Sequence, residues 1–129
     1  MADATTVITS KEYSTGIKRI TIVFTAATEA ALFTSAVLGG ELGKELINVS
    51  TKFGSTGPTD NSDLSIVDAL SGRDLVATNG PNSVDNAAVN YVAPETNAIC
   101  VGPLTVAITN NAVNNASVTV ILVFKSKNL

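Results

Sequence analysis

The chain has 129 residues, of which 45% are hydrophobic and only 15% are charged, and its formal net charge is −3 at pH 7. This length fits a single domain that can bury a core without disulfides. The sequence has no His, no Trp and a single Cys, which excludes His-based nucleophilic catalysis and an intramolecular disulfide.

The low content of charged residues is offset by many small polar residues. Ser, Thr and Asn satisfy hydrogen bonds without the desolvation cost of a charge, so this composition suits surfaces that become buried in an assembly. Polar loops of a monomer are the alternative interpretation. The basic residues are scattered, with Lys18-Arg19 as an adjacent pair, and this pattern argues against a direct nucleic-acid partner.

The sequence contains no targeting or membrane-spanning pattern. Met1 to Thr6 lacks the basic and apolar segments of a signal peptide. The longest apolar run, Val118 to Phe124, is too short to cross a bilayer. We therefore expect synthesis in the cytoplasm and no membrane partner.

The first 14 residues are small and polar except for Val7, Ile8 and Tyr13. This composition predicts a flexible N-terminal arm over residues 1–14, with one short strand at most, before a single domain over residues 15–129. The first clear strand is Ile17 to Thr25, in which apolar and more polar residues alternate.

The next segment is less regular. Glu29 to Phe33 has helical propensity, whereas Thr34 to Val37 is typical of a strand. Because the surrounding elements are strands, we predict a loop that leads into a strand. Glu41 to Glu45 fits one helical turn, and Leu46 to Phe53 alternates as a strand.

Turn residues separate the remaining strands. A loop over residues 54–61 precedes predicted strands at about 64–68 and 74–77, and the Asn-rich residues 78–97 contain only a brief strand at 88–92. Two alternating strands follow, within residues 99–109 and 117–125. The second face of the last strand is partly apolar, which predicts a central strand or a covered outer face.

These patterns predict about eight short strands and no long helix. We therefore expect an all-β fold, a two-sheet antiparallel sandwich that is jelly-roll-like. An immunoglobulin-like sandwich is the alternative, although the paired Cys and central Trp of antibody domains are missing.

Four aspartates, Asp60, Asp63, Asp68 and Asp74, form the acidic cluster of the sequence. Asp in turns usually bonds its own backbone, so we predict structural turn roles for all four. The oxygen-rich run from Asp60 to Asp63 leaves calcium binding as an alternative, but its spacing does not fit a helical calcium loop.

No residue pattern typical of an enzyme is found. Serine and cysteine nucleophiles lack a His base, and the Gly39 to Lys44 segment lacks the spacing of a phosphate loop. Arg73 beside Asp74 fits a solvated ion pair, and Cys100 fits a small buried residue. We expect a protein that is not an enzyme and uses no cofactor or metal.

The order of the predicted elements resembles that of small virion structural proteins of tailed bacteriophages. The shared pattern is a first strand with basic residues, a Pro-Thr-Asp-Asn loop before an Asp-containing strand, an Asp-Leu or Asp-Val hairpin return, a Gly-Pro-Leu-Thr strand and a closing strand. The segments that carry it are Ile17–Thr25, Pro58–Asp68, Gly72–Val76, Gly102–Val106 and Ser117–Phe124. Residues 78–97 depart from the pattern.

The resemblance implies a jelly-roll-like head decoration, or cement, protein that binds the phage major capsid protein on the outer surface of the head. It also implies a homotrimer, with a homodimer as the alternative, located in the virion after synthesis in the host cytoplasm. It brings no catalytic residues. Another virion component, such as a tail, neck or fibre-associated domain, and a carbohydrate-binding module are the alternative functions.

The candidates for capsid or subunit contact come from two places. The arm is suited to add a strand to a neighbouring sheet, and the second face of the last strand is partly apolar. The candidate residues are Thr5, Thr6, Val7, Ile8, Tyr13, Ile121 and Val123.

Overall fold

The computed structural model describes residues 4–13, 15–86 and 89–126, which form eight strands in two antiparallel sheets. This confirms the predicted all-β sandwich. Among these residues no helix is long and apolar enough to span a membrane. The strands are β1 (Thr5–Glu12), β2 (Ile17–Thr25), β3 (Ala36–Leu38), β4 (Lys44–Phe53), β5 (Asp63–Asp68), β6 (Asn90–Tyr91), β7 (Leu104–Thr109) and β8 (Ser117–Ser126).

The strand pairing is nested. The five-stranded sheet has the order β1-β2-β8-β4-β6 and the three-stranded sheet the order β3-β7-β5, so the chain changes sheet at every connection from β2 to β8. β2 pairs with β8, β3 with β7 and β4 with β6. Between β4 and β6 in the sequence, Val67 of β5 forms a bridge with Asp74. A long hairpin folded over in this way is a jelly roll, as the sequence predicted.

The core lies between the two sheets and is built from alternating inward side chains. On β2 and β8 the inward residues are buried and their neighbours are not, with Phe24 and Phe124 among the largest fully buried side chains. The ring of Phe33 packs edge-on against Phe24, at 6.2 Å between centroids. Burying one large apolar side chain contributes about 1.5–3 kcal/mol, so this alternation is the main source of stability.

The predicted strand at 74–77 is wrong. Asp74 alone pairs, with Val67, and the residues after it form a turn. The Oδ1 atom of Asp74 accepts hydrogen bonds from the N–H groups of Ile66 (3.1 Å) and Val76 (3.0 Å), which closes this turn against β5. Leu75 and Val76 lie in this turn and are fully buried. They are apolar because they pack into the core, not because they form a strand.

β1 occupies residues that the sequence assigned to the arm. It pairs with β2 along its whole length, from Thr5 opposite Thr25 to Glu12 opposite Lys18. The strand lacks a clear sequence signal because its side chains are exposed on both faces, so no alternation marks it. Residues 1–3 and 14 of the predicted arm lie outside the described residues.

The other differences concern boundaries. β4 begins at Lys44 rather than Leu46, and the ambiguous segment ends in the three-residue strand β3, as the predicted loop and strand require. The predicted strand at 88–92 is reduced to Asn90–Tyr91, and residue 88 lies outside the described residues.

Asparagines supply most of the left-handed backbone in the turns. Among the described non-glycine residues with positive φ, all but Ala31 are Asn, whose short side chain tolerates this conformation. In the Asn-rich region, the side-chain amides of Asn79 and Asn90 also donate to the carbonyls of Ala93 and Ser83. The positive-φ asparagines are Asn61, Asn82, Asn97, Asn110 and Asn115.

Candidate attachment surface

β1 forms one edge of the five-stranded sheet and is open on the side away from β2. Among the described residues β2 is its only strand neighbour. Every side chain from Val7 to Glu12 is exposed, and Val7 is 57% exposed. A long, exposed edge strand presents unpaired N–H and C=O groups and is a template for pairing with another strand.

The two faces of β1 have different surroundings. Val7 lies opposite Val23 on the outer face of the sheet, whereas Thr6 and Ile8 lie opposite core residues of β2. The Thr6 hydroxyl donates to the carbonyl of Thr34 at 2.8 Å. Ile8 stays 44% exposed, because three strands cannot cover the whole inner face of five.

A charged network fixes the end of β1. Glu41 is only 3% exposed, and its carboxylate accepts hydrogen bonds from the Nζ atoms of Lys18 (3.0 Å) and Lys44 (3.4 Å). Lys44 Nζ also lies 3.9 Å from the carboxylate of Glu12 in β1. The network was not predicted, because its lysines come from β2 and β4 and only the fold brings them to one carboxylate.

The outward side chains of the five-stranded sheet form cross-strand rows, which together we call the outer face. The middle row contains Thr9, Thr21, Ile121, Ser50 and Tyr91; one neighbouring row contains Val7, Val23, Thr119 and Lys52, and the other Lys11, Arg19, Val123 and Asn48.

Aliphatic and hydroxyl side chains fill the centre of the outer face. Ile121 and Val123 are half-buried there because β8 lies between β2 and β4, which confirms the central position predicted for the last strand. Tyr91 of β6 is 61% exposed at the far edge. Ile47 is the extra residue of a bulge in β4, beside Asn48, and is also exposed.

The fold brings some of the candidate contact residues together and separates others. Val7, Ile121 and Val123 share the outer face, and Thr5 lies opposite Thr25 at its end. Thr6 and Ile8 point to the other side of β1, as described above. Tyr13 follows the end of β1, where Lys11 Nζ lies 5.4 Å from the centre of its ring.

Asp68, the last residue of β5, joins the turn that follows β5 to the turn that precedes β7. It is fully buried, and its Oδ1 accepts from the N–H groups of Leu70 (2.9 Å) and Ser71 (3.2 Å), while its Oδ2 accepts from Val101 (2.8 Å) and Gly102 (3.2 Å). Burial alone would raise the pKa of Asp68, but these four donors together hold its pKa below the ordinary value.

Asp60 and Asp63, the other two aspartates predicted to lie in turns, are at the end of the sandwich where β5 begins. Asp63 Oδ1 accepts from the N–H of Asn82 at 2.8 Å, and its Oδ2 accepts from the side-chain amide of Asn110. Asp60 lies beside Asp85 instead. A hydrogen bond between these two carboxyl groups, then desolvation, then the charge of Asp85 raise the pKa of Asp60.

The acidic residues that the structure describes do not assemble into a metal site. Among the described residues no group of three or more Cys, Asp or Glu side chains is placed to hold a metal ion. Asp60 and Asp63, which left calcium as an alternative, bond different partners, as described above.

Two other polar residues have structural surroundings. Cys100 is fully buried, as predicted, and burial followed by the charges of Asp68 and Glu41 raises the pKa of its thiol to about 11. Arg73 does not form the predicted solvated pair. Its guanidinium donates to the carbonyls of Asn97 and Thr96, while the carboxylate of Asp74 closes its own turn.

Comparison with known proteins does not identify a family for this chain. No protein-family model matches the chain, and no curated protein matches it with significance. One solved structure, described as "Cyanophage Pam1 capsid asymmetric unit", is similar to it at 17% identity and a TM-score of 0.48, over 93% of this chain and 86% of that one. These values are too low to transfer a function from that capsid.

Proposed function

We propose that this protein is a structural component of a tailed-phage virion and acts as a decoration, or cement, protein on the outer surface of the head. It binds the major capsid protein there and stabilises contacts between capsid subunits, without catalysing a reaction. The ordered resemblance of five sequence segments to small phage virion proteins supports this role, as does the low share of charged residues.

The open edge of β1 is the observation that carries the proposal. It offers an eight-residue strand, of which seven residues are exposed, on a preformed sheet. Because β1 is already bonded to β2, a capsid segment would add as a further strand on the open side of β1, rather than receive β1 as a detached arm. Such strand addition gives affinity through main-chain hydrogen bonds.

Several copies acting together make modest contacts sufficient. A homotrimer, with a homodimer as the alternative, places more than one β1 edge against the same shell. Once one edge is bound, the others bind at a high effective concentration, so the assembly binds far more tightly than one copy.

Binding to heads tests this function. Heads are purified from phage that lack the gene for this chain, mixed with increasing amounts of the purified protein and sedimented. We expect saturation at hundreds of copies per head and a higher temperature of head rupture. A dozen copies or fewer would point to a neck or tail component, and no binding at all would overturn the proposal.

The role of β1 is tested with a protein that lacks residues 2–12. Its circular dichroism spectrum shows whether the sandwich still folds without the edge strand. We expect a folded variant with strongly reduced occupancy of the heads. Undiminished occupancy would reject β1 as the attachment edge.

A further inference from the structure

Charge is distributed unevenly between the outer face and the rest of the protein. Four cations occupy outward positions on β1, β2, β4 and β8, and among the described residues the outward carboxylate on these strands is Glu45, opposite Lys125. The whole chain nevertheless has a net charge of −3. The cations are Lys11, Arg19, Lys52 and Lys125.

The positive charges lie at two ends of an uncharged centre, whereas the carboxylate residues Glu45 and Glu95 line the β6 edge together with Tyr91. Lys11 and Arg19 lie at one end of the outer face and Lys52 at the other, with the aliphatic and hydroxyl rows between them. Exposed Tyr91 and Arg19 are of the residue types that contribute most to binding energy in protein interfaces. A centre depleted of charged residues with a polar rim is the usual arrangement of a protein–protein contact.

Two copies of the chain do not fit each other through their outer faces. Two outer faces would bring their positive ends together, and like charges in an interface are unfavourable. Nucleic acid is also disfavoured, because the overall charge is negative and the aliphatic centre would remain unused on a phosphate backbone. A protein surface with acidic groups on either side of an uncharged centre satisfies both parts of the face.

The size of the face bears on the strength of binding. Five strands about 4.8 Å apart span about 19 Å, and nine residues at about 3.3 Å each span about 30 Å, so the face covers at most roughly 570 Å², since β6 has only two residues. Stable interfaces usually bury about 800 Å² on each partner. One copy is therefore expected to bind weakly, and an oligomer tightly.

From this charge pattern and size we infer that the outer face docks on an acidic protein surface of the head, with Arg19 and Lys52 as the main electrostatic contacts. The inference rests on the proposed function, because it names the surface and the partner chemistry of the same attachment. The β1 edge borders the outer face, so one partner can contact both.

The test compares two double variants with equal changes in net charge. Arg19→Gln with Lys52→Gln removes two positive charges from exposed positions on the outer face. Leu42→Glu with Leu70→Glu adds two negative charges at loop positions that are 67% and 74% exposed. All four sites are exposed, so both proteins are expected to fold, and thermal unfolding of each is measured first.

Binding to heads that lack this chain is then measured at low and high salt. We expect the Arg19/Lys52 variant to bind about tenfold more weakly than the unchanged protein at low salt, with a smaller loss on adding salt, because rim charges act mainly through screened attraction. The Leu42/Leu70 variant is expected to bind like the unchanged protein.

Three results would overturn the inference while leaving the proposed function intact. One is undiminished binding of the Arg19/Lys52 variant, and another is loss of binding by the Leu42/Leu70 variant alone, which would assign docking to the loops. The third is tighter binding of the unchanged protein to linear duplex DNA than to heads. If the unchanged protein binds no heads, the proposed function fails and this inference fails with it.

Discussion

Lys18 Nζ lies 3.0 Å from Oε2 of Glu41, and this ion pair joins β2 to the loop before β4. The carboxylate is almost fully buried, and Lys44 supplies a second cation at 3.4 Å. A buried charge is tolerated only when it is paired, so the two lysines offset the desolvation cost of Glu41. Through Glu12, the same network reaches β1.

Replacing Glu41 by Ala is expected to lower the free energy of unfolding by about 3 kcal/mol, because two largely buried lysines lose their partner. Urea unfolding followed by circular dichroism measures the change. Glu12→Gln is the control, since Glu12 is exposed and such pairs contribute less than about 1 kcal/mol. Equal losses for the two variants would contradict a buried role for Glu41.

Asp68 makes the free energy of unfolding depend on pH in the acid range. Its pKa in the folded protein is lower than the unfolded value of about 3.9, so its stabilising contribution is complete above that value and is lost as the pH falls through the folded pKa. Unfolding free energies measured from pH 7 to pH 2 should therefore fall below about pH 4.

Asp68→Asn tests this assignment. We expect a loss of about 2–3 kcal/mol at pH 7, because an amide cannot accept all four backbone N–H bonds. We also expect a shallower decline in acid than for the unchanged protein. A variant with the same decline would show that other carboxylates determine the acid sensitivity.

The pair formed by Asp60 and Asp85 makes stability depend on pH in the direction opposite to that of Asp68. The pKa of Asp60 is raised, so the favourable contribution of the pair is present below the unfolded value of about 3.9 and is lost as the pH rises through the folded pKa. Asp60→Asn should raise the melting temperature at pH 7 and lose this advantage near pH 3, as differential scanning calorimetry would show. A lower melting temperature at pH 7 would contradict a raised pKa of Asp60 in the folded protein.

Most of the fold was predictable because most strands have one buried and one exposed face. The alternation in β2, β5, β7 and β8 marks them clearly in the sequence. β1 has no buried face to mark it, and residues 74–77 imitate a strand because a buried turn also needs apolar side chains. The expected number of strands is right, although β1 stands in place of the strand predicted at 74–77.

The surface was predictable only in part. Alternation alone places Ile121 and Val123 opposite the core side of β8, and this much was predicted. Their grouping with Val7 and Arg19 depends on the register of β1, β2 and β8, which no local pattern specifies. Likewise, the Val101 N–H that Asp68 binds is 33 residues away, so sequence shows the turn at Asp68 but not its partner.

Gly80 lies where a side chain does not fit. A Cβ atom there would overlap the carbonyl oxygen of Leu64 and lie 2.9 Å from that of Val76. The backbone cannot move away easily, because Gly80 donates to Val76 and accepts from Leu64. Gly80→Ala is therefore expected to cost at least about 2 kcal/mol in urea unfolding. Gly39→Ala, which meets open space, should change stability by less than about 0.5 kcal/mol, and equal effects would contradict a steric cause.

Ala31 has a φ of 54°, which is a left-handed conformation. All other described non-glycine residues with this conformation are Asn. The Asn111 amide donates to the Ala31 carbonyl at 2.9 Å and holds the turn in place. Removing the Cβ relieves a cost of about 1 kcal/mol, and glycine adds unfolded-state entropy, so Ala31→Gly should stabilise the protein by about 0.5 kcal/mol. Ala69→Gly, in an exposed turn without positive φ, should instead destabilise it by about 0.5 kcal/mol. Thermal unfolding of both variants measures whether each one gains or loses stability. A destabilised Ala31→Gly protein would show that this turn is not strained by its side chain.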